Sequence, residues 1–119
     1  MTFARVKTIL DKVLADWTTS NGSSPDLSRH NSVGHPPMSW NTAAELRAAW
    51  GKNVQLIQPE VVGNGQGNAA NLVIDLRSGL PGRPRMPFGG PFASDADIQE
   101  IVNWIDAGCP DDPAACNAA

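Results

Sequence analysis

A chain of 119 residues can bury one sizeable core and is too short for two. Its 41% hydrophobic and 18% charged residues argue against disorder along most of its length. Nine Lys and Arg against twelve Asp and Glu, a formal charge of −3, leave no basic surplus for phosphates, so nucleic-acid binding is disfavoured. No apolar run approaches the roughly 20 residues that span a bilayer.

Phe3, Val6, Ile9, Leu10, Val13, Leu14 and Trp17 recur at helical steps, which predicts an amphipathic helix over 3–17 that stops before the turn dipeptide Asn21-Gly22. Arg5, Lys7, Asp11 and Lys12 interrupt this stretch, as they would not in a secretory signal. The expectation is a cytoplasmic chain, unless it has been processed. The segment 18–39 is rich in Ser, Asn, Gly and Pro and reads as a long loop, which in a small domain usually has a role.

Thr42 with Glu45 three residues later forms a capping box, so a second helix begins there. Leu46, Ala49 and Trp50 form its inner face and Gly51 is its stop. Val54 to Val62 reads as extended with a break at Pro59, and Gly63 to Gly67 as a turn. A third helix is predicted over 69–78, with Leu72, Val73 and Leu76 inward and Gly79 at its end. Pro81, Pro84, Pro87 and Pro91 make the stretch 80–92 a loop.

The last helix has the clearest start. Ser94 is an N-cap, and Asp95 and Asp97 lie in a first turn where the helix dipole favours negative charge. Ile98, Ile101, Val102 and Ile105 form its buried stripe with Trp104 beside it, and Gly108 and Pro110 end it. The architecture expected is all-α, about four helices joined by long loops. Residues 1–110 form the single domain and 111–119 a flexible tail. Cys109 and Cys116 are spaced either to close a small disulfide loop, implying an oxidising compartment, or to remain two free thiols.

Arg85-Met86-Pro87, Ser94-Asp95-Ala96-Asp97-Ile98 and Ile101 through Gly108 resemble the C-terminal third of a bacterial cytochrome c-like domain. The resemblance implies that the first helix packs across the last and that Met86 stands where an axial haem ligand would. One departure changes the functional reading. Where the family carries Cys-x-x-Cys-His after its first helix, this chain has Trp17-Thr18-Thr19-Ser20-Asn21, so this motif cannot attach haem. The expected product is a collapsed, haem-free form of the fold. Trp40, Trp50, Phe88 and Phe92 would then fill the volume that haem leaves.

The chemistry-bearing residues are few. His30, His35, Met38 and Met86 offer imidazole and thioether donors suited to copper, or to haem held without a covalent bond through Met86. The plainer account gives the histidines backbone or water partners and lets the methionines fill gaps. Arg77, Arg83 and Arg85 are candidates for docking an acidic protein or peptide partner or a carboxylate-bearing ligand, and Trp40 is a further partner-binding candidate. The glycines at 63–67 match neither a dinucleotide fingerprint nor a P-loop. No Gly-x-Ser-x-Gly elbow is present, neither cysteine has a histidine near it in sequence, and the paired carboxylates are explained by a helix cap and a tail. The reading is therefore a non-catalytic binding or accessory module without a cofactor, working through loops 18–39 and 80–93. The alternative is a copper or haem carrier.

Overall fold

The computed structural model describes residues 2–22, 34–51, 54–80, 86 and 91–110. Four helices, α1 (Phe3–Asn21), α2 (Ala43–Ala48), α3 (Asn71–Arg77) and α4 (Asp95–Asp106), account for most of the regular structure. Two short 3-10 turns, Pro59–Val61 and Gly67–Ala69, lie between α2 and α3. A two-stranded antiparallel hairpin, β1 (Trp50–Gly51) with β2 (Val54–Gln55), departs from the all-α expectation. The protein is mostly helical.

α1 is longer than its apolar stripe. The stripe ends at Trp17, but the Thr18 hydroxyl donates back to the Leu14 carbonyl at 2.9 Å, so a polar turn stays helical. Gly22 then adopts φ 78° and donates its N–H to Thr18, ending the helix as a left-handed cap. The Asn21-Gly22 pair is thus the cap itself, not a turn some residues beyond the helix. α2 starts as expected, with Glu45 N–H donating to the Thr42 hydroxyl at 3.1 Å. It stops earlier. Ala49 is extended, and Trp50 and Gly51 belong to β1, so Gly51 does not end the helix.

α3 is shorter than predicted because its N-terminus takes its acceptors from elsewhere. Asn71 N–H donates to Gln58 Oε1 at 2.9 Å and Leu72 N–H to the Leu56 carbonyl at 2.7 Å. These bonds satisfy donors that every helix start leaves open. Leu72, Val73 and Leu76 are buried as the pattern required.

α4 is the central element and packs against α1, α3 and the Gly67–Ala69 turn. Ser94 caps it through Asp97 N–H at 3.1 Å. Ile98, Ile101, Val102 and Ile105 are buried, and Trp104 lies among them at 0% exposure rather than beside them. Its ring lies 5.6 Å from that of Phe3, and its indole N–H donates to the Pro110 carbonyl at 3.0 Å. Arg5 closes the outer edge of the helix pair. It donates to both Glu100 carboxylate oxygens and, at 3.2 Å, to Asp97 Oδ1. Cys109 is a free, fully buried thiol at φ 52°, with its carbonyl accepting from Arg47 at 2.6 Å. Burial pushes this thiol up to about 11, an attraction to Arg47 opposing it. Cys116 and the tail 111–119 lie outside the described residues.

The loop before α3 reaches α4 by backbone. Gly63 N–H donates to the Ile105 carbonyl at 2.9 Å and Gly67 N–H to Asp106 Oδ1 at 2.7 Å. A Cβ at Gly67 would lie 2.8 Å from both the Val102 carbonyl and Asp106 Oδ1. Neither neighbour can move without breaking this contact. Gly67→Ala is therefore expected to destabilise the fold by about 1–3 kcal/mol, read from the urea midpoint at unchanged slope.

Hydrogen bonds from Arg5 hold the Glu100 carboxyl below its ordinary value, a small desolvation opposing them. A lowered carboxyl contributes stability that is full above its unfolded value, near 4.5, and is lost as pH falls. Glu100→Gln should flatten the acid limb of a stability-versus-pH curve relative to the parent. A parallel limb would count against the pair.

Candidate functional site

Residues 34–41 are joined to α1 by a side-chain bond. Trp40 cannot leave its indole N–H unpaired against the core, and it donates to Asp11 Oδ1 at 2.9 Å. Asp11 Oδ2 accepts from Lys7 at 2.6 Å, one helical turn earlier. Ser39 is held from the other side, its hydroxyl donating to Glu45 Oε1 at 2.8 Å. The capping glutamate of α2 thus also fixes the segment that crosses α1.

Between these anchors is an open cleft of about 180 Å³ lined by Asp11, Leu14, Met38, Ser39, Trp40 and Asn41. That volume lies below the roughly 300–1,000 Å³ of sites for drug-sized molecules and suits a single side chain. Partial burial pulls Asp11 upward, but hydrogen bonds from Lys7 and Trp40, and the charge of Lys7, outweigh it. The carboxyl sits below its ordinary 3.8 and is ionised at neutral pH.

The hairpin separates two of the residues singled out as metal donors. The exposed His35 ring stacks on Trp50 with centroids 3.7 Å apart and planes 10° from parallel. Met38 covers the neighbouring residue, its sulfur 2.9 Å from where a Gly51 Cβ would stand, with Leu56 alongside. Successive strand residues project to opposite faces, so Met38 occupies the face of β1 away from the Trp50 ring. His30 lies outside the described residues. Among the described residues, no group of three or more His, Cys, Asp or Glu could hold a metal ion.

Met86 is half-buried, and its N–H donates to the Asp75 carbonyl at 3.0 Å, tying that point of the 80–93 loop to α3. Arg77 donates to the Asn68 side chain and so braces the turn before α3. Arg83, Arg85 and Phe88 lie outside the described residues. Of the aromatic fillers, Trp40 and Trp50 are half-buried and Phe92 is exposed at 42%.

Asp11, Leu14, Ser39 and Asn41 are cleft residues that the sequence reading does not single out. Trp40 carried a usable signal, because a core-facing indole needs an acceptor, and Asp11 stands among the apolar residues of α1. Compared with protein-family models, curated proteins and solved structures, the chain has no match.

Trp40→Phe keeps the ring bulk and removes the donor to Asp11. The Asp11 carboxyl should then titrate closer to its ordinary value than in the parent, measured by carbon-detected NMR. An unshifted titration would mean that the indole bond contributes nothing to holding that carboxylate.

Proposed function

We propose that this chain is a haem-free, cytochrome c-like binding module that recognises a protein or peptide through the stretch between α1 and α2 and the 80–93 stretch, residues 18–21 of the expected first loop belonging to α1. The observation that carries the reading is the open, side-chain-sized cleft where 34–41 crosses α1. Support for the kinship comes from α1 lying against α4, as the resemblance leads one to expect.

The donor chemistry does not fit haem c. Residues 17–21 form the last turn of α1 and include neither cysteine nor histidine. On the copper alternative, the His35 ring is stacked on Trp50 and the Met38 sulfur lies against Gly51, so each donor already has a packing role. A binding role asks less of these residues. His35 on Trp50 and Met38 on Gly51 stiffen the segment that forms the cleft wall. Trp40 fixes that wall to α1. The arrangement offers a preformed surface, which lowers the ordering cost of association.

Leu14 lines the cleft and is only half-buried, so Leu14→Lys should block it at a stability cost within about 1 kcal/mol. Proteins cross-linked to the parent chain in its native extract should be lost from this variant while its unfolding midpoint holds. Undiminished cross-linking would place the working surface elsewhere and overturn the assignment.

A further inference from the structure

Resting on the binding-module reading, we propose that the cleft receives one cationic side chain, lysine or arginine, presented by a protein or peptide partner. The lining has the two-part character that such a side chain has. Leu14 and Met38 supply an apolar wall for a methylene stem, and Asp11 supplies the charge for its head. The indole of Trp40 stands beside that carboxylate and is fastened to it by the 2.9 Å bond, so ring and charge keep one relative position. A cation set against this carboxylate gains a charge-assisted hydrogen bond, with the indole packed beside it. Ser39 and Asn41 complete the lining with polar groups.

The chain already places an ammonium on this carboxylate. Lys7 Nζ lies 2.6 Å from Asp11 Oδ2, and both side chains are substantially exposed, at 37% and 49%. Exposed pairs one helical turn apart are weakly held, so an arriving cation can share or replace Lys7. Asp11 also has capacity for it, since an ionised carboxylate offers about four acceptor positions and two are in use among the described residues. The chain's formal charge of −3 favours approach of a basic partner and disfavours an acidic one. The size of the cleft limits recognition to one residue.

The test is a titration of the full chain followed by nitrogen–proton NMR, with the Trp40 indole resonance identified by its loss in Trp40→Phe. The probes are three capped tripeptides, Gly-Arg-Gly, Gly-Lys-Gly and Gly-Glu-Gly. The arginine and lysine peptides should shift the Trp40 indole signal saturably, with the glutamate peptide leaving it in place. Added salt should weaken the response. Asp11→Asn should raise the apparent Kd about three- to tenfold or more, the loss expected when a charged acceptor becomes neutral. Should Asp11→Asn fail to fold, Leu14→Lys serves instead and should abolish the shift. No saturable shift, an equal response to the glutamate peptide, or an unchanged Kd in the folded variant would overturn the proposal. A glutamate peptide that alone saturated the cleft would overturn the cation assignment and leave the binding-module reading in place. Retained cross-linking in Leu14→Lys would remove that reading instead.

Discussion

Enclosing Trp104 is the constraint on which the other elements depend. A tryptophan at 0% exposure on the inner face of α4 must be covered on every side, and its indole N–H must still find an acceptor. Phe3 of α1 supplies one side of the enclosure. The chain just past α4 turns back so that the Pro110 carbonyl meets the indole N–H and the Cys109 N–H meets the Trp104 carbonyl. Arg47 of α2 then holds the Cys109 carbonyl, drawing α2 to the same end of α4. The left-handed backbone at Cys109 is strained for a residue with a side chain, and these two bonds hold it. The glycine loop completes the arrangement by lying backbone to backbone on the last turn of α4, where a side chain at Gly67 would not fit.

That architecture sets up the cleft at a distance. Because Phe3, Val6, Ile9 and Leu10 of α1 are buried in the core, Lys7, Asp11 and Leu14 fall along the flank beside that buried face. α2 is held in place from its own end, and Glu45 anchors Ser39, so 34–41 must cross the flank of α1. Trp40 converts that crossing into a fixed contact. The resulting surface combines an ionised carboxylate, an indole and apolar walls.

Much of the fold was legible because its signals are local. Ser94 with Asp95 and Asp97, and Thr42 with Glu45, mark helix starts through bonds spanning three residues, and both occur as the pattern implies. The stripe of α4 was readable for the same reason. The end of α1 was not, since Thr18, Thr19 and Ser20 look like loop until the Thr18 hydroxyl is seen bonding back to Leu14. Of the hairpin, β2 falls in the stretch that reads as extended, whereas β1 is too short to show alternation and its Trp50 reads as part of a helix face. The cleft depends on a bond between residues 29 apart in sequence, and no local periodicity reports it.

The central proposal is that this chain folds on its own side chains and serves as a cofactor-free binding scaffold. The most direct measurement is urea unfolding of chain produced without haem, followed by tryptophan fluorescence and circular dichroism, with and without equimolar haemin. A protein-only core predicts one cooperative transition, coincident by both probes, at a midpoint that haemin does not move. A broad or probe-dependent transition that sharpens and shifts upward when haemin is added would contradict the account.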